Sequence, residues 1–289
     1  MKKTKVEGTN VVLLKSIDKK LVRKYKNKEI SAYPKTIAEH KILKLLDNSN
    51  IKHPKLLKKR LRYIEIEHLE GKTLPELVDK KVMISLLCNY VYEMYSLNCE
   101  SIQKKVKWTN NTTFLYYQVN TLLDYVRKYD IVGKLREMGI NFSVLLNLKN
   151  ITLDDTRKLS FIHGEITTKN IIDNNGSYML IDWEHATYGD IAYELGMHFV
   201  NEDYTKEEMN IAIDRLSASL GLDEQKLSND INIYMNFEYY RKSITGFIEA
   251  INLKNKKQSY EQVLFKTYNY YSKLPNPLVL ENLRNIIDK

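Results

Sequence analysis

Between Phe161 and Glu184 the chain reads FIHGEITTKNIIDNNGSYMLIDWE, and the types and spacing of its polar side chains suit phosphoryl transfer. Glu165 stands five residues before Asn170, and Asp182 lies beyond a turn and a second apolar run. Ile171 and Ile172 precede Asn174-Asn175-Gly176, and Tyr178 to Ile181 follow it. Asn-Gly supplies the positive φ angles of a tight primed turn, so a hairpin is predicted with Asn170 and Asp182 side by side at its open end. Two oxygen ligands held together suit Mg²⁺, which keeps most of its waters and takes one or two protein oxygens plus phosphate. The Glu165 carboxylate would then face the attacking hydroxyl and accept or orient its proton, while His163 holds the loop by hydrogen bonds.

These residues resemble the H-R-D-x-x-x-x-N and D-F-G parts of protein kinases. They are closer to the aminoglycoside phosphotransferase and choline/ethanolamine kinase family, whose form is H-x-D-x-x-x-x-N, then I-D-[WFY]-E, then G-D and an apolar helix. IDWEHATYGDIAYELGMHF from Ile181 to Phe199 fits that pattern. The resemblance implies that Glu165, His163, Asn170 and Asp182 form the catalytic set. Asn170 and Asp182 would hold metal, with Glu184 matching a glutamate that reaches a second ion. One departure stands out: the family's catalytic aspartate is Glu165 here. A displacement of one carbon-carbon bond can cost roughly a hundredfold in rate, so a nucleotide-binding pseudokinase with weak or no activity is the alternative reading.

The resemblance also implies the elements that position this stretch. The expected fold is α+β and bilobal, protein-kinase-like, with a small antiparallel β-sheet N-lobe over residues 1–69 and a mainly α-helical C-lobe over residues 70–289. Lys5 to Asp18 reads as two strands around Glu7-Gly8-Thr9-Asn10, a turn that resembles the G-G-x-[ST]-N phosphate turn of choline kinases. KLVRKYK from Lys20 to Lys26 resembles their third strand and puts Arg23, rather than Lys24, at the phosphate. Thr36 to Leu46 has helical apolar spacing, with Glu39 near its start as the expected ion-pair partner of that cation. LRYIEIEHL from Leu61 to Leu69 alternates as a half-buried strand and leads into a linker where backbone groups of Glu67, His68 and Leu69 would bind adenine. Helical periodicity then covers 82–95, 114–129, 132–148, 190–200, 207–220, 230–252, 259–272 and 278–288, with breaks at Gly221 and at Pro275-Asn276-Pro277.

Composition narrows the function. The formal charge of the 289 residues is +9, but residues 1–80 hold 21 Lys/Arg against 10 Asp/Glu, so the remainder carries 24 against 26. Such a surplus could serve nucleic acid, yet beside the central motif it reads as a solvated face near an anionic nucleotide, and nucleic acid is not the expected partner. No stretch approaches a membrane span and the start lacks a signal peptide's apolar run, so a cytoplasmic protein with no membrane partner is expected. Cys88 and Cys99 imply neither a disulfide framework nor a zinc site. The expected reaction moves the γ-phosphoryl group of ATP, or GTP, with Mg²⁺, to the hydroxyl of a small cationic acceptor. Asp173, Asp182, Glu184, Asp190, Glu194, Glu202 and Asp203 lie between Lys169 and Lys206 with no intervening cation. They form an expected negative wall with Trp183, Tyr188, Tyr193, Tyr239, Tyr240 and Phe247 as aromatic faces. The competing reading makes those acids solvated and those rings core.

Overall fold

The structure is a computed structural model that describes residues 2–5, 11–15, 20–25, 32, 37–75, 78–140, 146–274 and 277–288. The chain starts with the lysine-rich β1 (Lys2–Lys5), the apolar run of β2 (Val11–Lys15) and β3 (Lys20–Tyr25). These join β4 (Leu56–Lys59) and β5 (Tyr63–Glu67) in one antiparallel sheet of order β1-β2-β3-β5-β4. The helix α1 (Glu39–Leu46) packs Ile42, Leu43 and Leu46 inward. Two boundaries differ from the sequence reading. β1 begins ahead of Lys5, and the unexpected β4 sits on the sheet edge, where its exposed, lysine-rich face gives little alternation to read.

A short β6 (Lys72–Thr73) follows the linker and pairs with the central hairpin. The rest of the chain is mostly helical: α2 (Lys80–Ser96), α3 (Glu100–Gln103), α4 (Asn111–Tyr129) and α5 (Val132–Glu137) come first. The expected helix over 132–148 stops early, because Gly139 turns to φ 76°. After the central motif come α6 (Ile191–Asn201), α7 (Lys206–Leu220), α8 (Glu224–Asn255), α9 (Glu261–Tyr271) and α10 (Leu280–Asp288). At 32 residues and about 1.5 Å per residue, α8 runs roughly 48 Å and buries Tyr234, Phe237, Ile244 and Phe247.

The core lies beneath the central motif. Every residue of α6 from Ile191 to Val200 is buried, and α6 crosses α8 so closely that a Cβ on Gly196 would stand 2.9 Å from that of Tyr234. A helix apolar all round belongs in such a place. The two polar side chains on that buried stretch, Glu194 and His198, must therefore find partners inside. Those partners are backbone groups of the loop that begins at His163.

Candidate active site

The strand β7 (Ser160–Ile162) delivers the chain into the loop that begins at His163, and β10 (Thr187–Gly189) pairs beside it. Between them the hairpin is formed by β8 (Ile171–Asn174) and β9 (Ser177–Leu180), with Asn174 opposite Ser177. Its two-residue turn has φ 53° at Asn175 and 83° at Gly176, the signs a type I′ turn requires. At the open end the Asn170 carbonyl accepts from the Ile181 N–H at 2.8 Å. The hairpin thus brings Asn170 next to the start of the Asp182 segment.

Asp182 adopts left-handed backbone, φ 64° and ψ 56°, an uncommon conformation outside glycine that concentrates at working sites. Its Oδ1 lies 2.6 Å from Lys24 Nζ, and the same ammonium bonds Glu39 Oε1 at 2.8 Å. Burial pushes the Asp182 carboxyl up, but Lys24 more than offsets this and holds it below the usual carboxylate range. Burial likewise pushes the Lys24 ammonium down, and the charges of Glu39 and Asp182 raise it above ordinary lysine. Glu39, cut off from water, is pushed up despite Lys24. Of the two carboxylates, Asp182 is the more firmly ionised.

The two third-strand cations point the other way round from what the expected order would need. Neighbouring residues on a strand point to opposite faces, and Lys24 is the one that enters the cleft. Arg23 turns the other way, bonds Glu65 through Nε at 3.0 Å and stacks over the Tyr63 ring at 4.2 Å. The turn at Gly8, Thr9 and Asn10 lies outside the described residues.

The loop itself is held from three sides. His163 donates from Nε2 to the Ile181 carbonyl at 2.9 Å and accepts the Glu165 N–H at Nδ1. Full burial pushes this imidazole down to about 4, so the ring is neutral. Asn170 donates from Nδ2 to the Glu165 carbonyl at 2.9 Å, which leaves its side-chain oxygen for a ligand. Gly164 has φ +85°, and a Cβ there would meet the His185 carbonyl at 2.8 Å, so a side chain is excluded by both strain and space.

From below, Glu194 accepts the N–H groups of Gly164 at 2.6 Å and Ile166 at 3.2 Å. His198 donates from Nδ1 to the Ile166 carbonyl at 2.7 Å and meets the Tyr204 hydroxyl through Nε2. Glu202 accepts the Thr168 N–H at 2.8 Å. These three residues recur every fourth position, one face of a helix, and they clamp 164 to 168. Burial pushes the Glu194 carboxyl up to about 7, against its N–H partners. A second clamp fixes the far side: Arg157 holds Asp190 through Nη2 at 2.9 Å and Asp230 at 2.7 Å, all three buried, while Asp190 caps α6 through the Ala192 N–H.

Glu165 is pushed above the usual carboxylate range by burial, with Lys242 on α8 the strongest opposing influence and Asp182 and Glu238 adding to the rise. A base with a raised pKa is suited to taking a proton near neutrality. Beside it, Lys242 Nζ lies 3.8 Å from Glu238 Oε1, and Glu238 is itself salt-bridged to buried Arg241.

The expected acceptor wall is only partly assembled. Asp190, Glu194 and Glu202 are engaged with the interior as above, and Asp173 caps the hairpin turn through the Gly176 N–H. Trp183, Tyr193, Tyr240 and Phe247 are core, since Trp183 stacks on Phe161 and donates to the Leu180 carbonyl. Asp203 remains exposed near Tyr239 and Tyr270, whose hydroxyls are raised first by burial and then in part by Asp203. At the linker the Glu67 N–H already bonds the Lys55 carbonyl, so it is not free for a base, whereas His68 and Leu69 carry no such bond to the sheet among the described residues. A cavity of about 560 Å³ lies by the linker and the closed end of the hairpin, lined by Lys52, Lys55, Glu67, Leu69, Asn174 and Ser177 among others. None of Lys24, Asn170 or Asp182 lines it, so it is not the phosphoryl-transfer cleft.

A lysine bridging a helix glutamate and a hairpin aspartate, above a clamped loop bearing an acid and an asparagine, defines a small-molecule kinase of protein-kinase-like fold. The description of the choline/ethanolamine kinase family matches residues 5–274, and the chain belongs to that family. Among solved structures it is similar to the Plasmodium vivax ethanolamine kinase, at 19% identity and a TM-score of 0.66, covering 100% of this chain and 81% of that one. It is also similar to choline kinase LicA from Streptococcus pneumoniae, at 16% identity and 0.62, covering 99% and 94%. A third likeness is to the choline kinase from Cryptosporidium parvum, at 13% identity and 0.58, covering 99% and 89%. No curated protein matches the sequence.

Proposed function

We propose that this kinase transfers the γ-phosphoryl group of ATP or GTP, with Mg²⁺, to the hydroxyl of a small cationic acceptor. The observation that carries this reading is the Lys24 ammonium held between Glu39 and Asp182, with the Asn170 oxygen at the same end of the hairpin. The donor set fits the ion: Asp182 and the Asn170 side-chain oxygen lie at one end of the hairpin, and Mg²⁺ asks for only one or two protein oxygens. Asp182 and Asn170 would hold it, with Glu184 as the second-ion candidate. When bound, the ion neutralises charge developing on the transferred phosphoryl group.

The protein's own tasks are positioning and charge. Lys24 holds phosphate oxygens, backbone groups of His68 and Leu69 seat the base at the boundary between a lobe of residues 1–69 and one of 70–289, and Glu165 takes the acceptor proton. The cationic acceptor rests on Glu165 and Asp203 beside the half-buried faces of Tyr239 and Tyr270, since aromatic faces hold amines at about 0.5–2 kcal/mol each. Lys242 opposes it and makes the site selective among cations by size and reach.

ADP release measured with choline, ethanolamine, an aminoglycoside, and neutral and anionic sugars at low and high salt tests the reading. A cation preference that weakens with salt is expected, and sharpens in Lys242→Gln. Preference for an anionic acceptor would refute it. The longer Glu165 keeps one alternative, a nucleotide-binding pseudokinase, which predicts nucleotide binding without acceptor-dependent ADP release.

A further inference from the structure

The sheet edge formed by β4 carries an unexplained surface. Between Asp47 and Glu65 there is no acid and there are six Lys or Arg residues, Lys52, Lys55, Lys58, Lys59, Arg60 and Arg62. Every residue from Leu57 to Arg62 is exposed, along β4 and its turn into β5. Among the described residues Lys58, Lys59, Arg60 and Arg62 make no ion pair. Leu57 is 46% exposed at a register shift in β4, and Leu61 at the turn is 84% exposed.

Charged residues and a bulge on an edge strand guard against edge-to-edge pairing. That role explains the lysines but not two leucines set out among them. Nucleic acid would match the cations, yet it rewards aromatic faces that stack on bases, and the nearby Tyr63 ring is covered by Arg23. A lipid interface rewards both halves of the pattern, since anionic headgroups attract clustered cations and an exposed leucine enters the acyl boundary.

We propose that the β4–β5 turn is a docking surface for an anionic lipid membrane, held by Lys58, Lys59, Arg60 and Arg62 with Leu57 and Leu61 as apolar wedges. No helix among the described residues is long and apolar enough to cross a membrane, and surface docking needs none. β5 runs five residues from this turn to the linker, about 17 Å at 3.3–3.4 Å per residue. A protein docked there keeps its cleft open to soluble substrates. The charge surplus of residues 1–80 would orient the chain this way before contact.

The test is cosedimentation of the full chain with vesicles of phosphatidylcholine alone and of equimolar phosphatidylcholine and phosphatidylserine, across a salt series, with duplex DNA as a parallel arm. Expected is binding to the anionic vesicles only, weakening with salt. Changing Lys58, Lys59, Arg60 and Arg62 together to Gln should lower partitioning roughly several hundredfold, at about fivefold per cation. Leu61→Ser should lower vesicle binding several-fold and leave any DNA binding unchanged. Both variants keep the wild-type melting temperature and nucleotide turnover, because neither touches core or cleft. Absence of sedimentation with anionic vesicles overturns the proposal. So does tighter binding to DNA than to vesicles at equal salt, or indifference of vesicle binding to Leu61→Ser.

Discussion

At the residue scale the account turns on which side chains reach the cleft. Lys24→Met removes the ammonium between Glu39 and Asp182 and should lower nucleotide turnover roughly 100- to 1,000-fold, the cost of losing one preorganised donor. Arg23→Met should change turnover little, while it leaves the buried Glu65 carboxylate without that partner and so lowers stability. Equal losses in the two variants would return Arg23 to the phosphate. Asp182→Asn keeps the shape but removes the charge, so Mg²⁺-dependent turnover should fall by about two orders of magnitude or more while the melting temperature stays near wild type. Glu165→Asp is informative in either direction: it slows an enzyme whose pocket fits the longer acid and raises a drifted one, and no change would place this position away from the chemistry. The sequence made Arg23 and Lys24 hard to separate because both belong to one basic strand, LVRKY, and only the pairing of β3 with β5 decides which face meets the cleft.

At the element scale, α6 works as a clamp as well as a core helix. Glu194→Ala leaves the Gly164 and Ile166 N–H groups buried without partners, at about 1–3 kcal/mol each, so a loss of roughly 2–6 kcal/mol is expected in urea unfolding. A loss below 1 kcal/mol would mean the loop stands without it. His198 gives the pH signature. Burial takes its ring down to about 4 from an unfolded value near 6.5, so the neutral ring's contribution is complete above pH 6.5 and is lost as pH falls toward 4. The slope over that window is about 1.4 kcal/mol per pH unit. His198→Gln should show a shallower fall in stability between pH 6.5 and 5, and parallel curves would contradict the assignment. The hairpin was legible because Asn-Gly and its flanking apolar runs are local. The clamp was also written in the sequence, as Glu194, His198 and Glu202 at every fourth position of an apolar helix, but spacing alone does not say whether such a stripe faces solvent or a loop. Arg157 and Asp230 left no local trace, since they meet only when α8 packs against the loop before β7.

At the scale of the whole molecule, the antiparallel sheet and the mostly helical part were legible through the resemblance carried by the central motif, because local periodicity marks a helix among the sheet strands as well as after Lys80. The acceptor wall did not follow, because three of its acids and four of its rings are spent inside the core that the same motif builds. In the proposed reading the acceptor binds beside Glu165, near Lys242, Tyr270 and Asp203, and the charge balance of these groups decides between substrates. Phosphorus NMR of the protein with ATP, Mg²⁺ and ethanolamine or choline distinguishes phosphoryl transfer from nucleotide binding alone. A phosphotransferase gives a new phosphomonoester resonance that grows in step with ADP and is absent with Asp182→Asn. Formation of inorganic phosphate alone, or unchanged ATP in a protein that still binds it, would contradict a phosphotransferase.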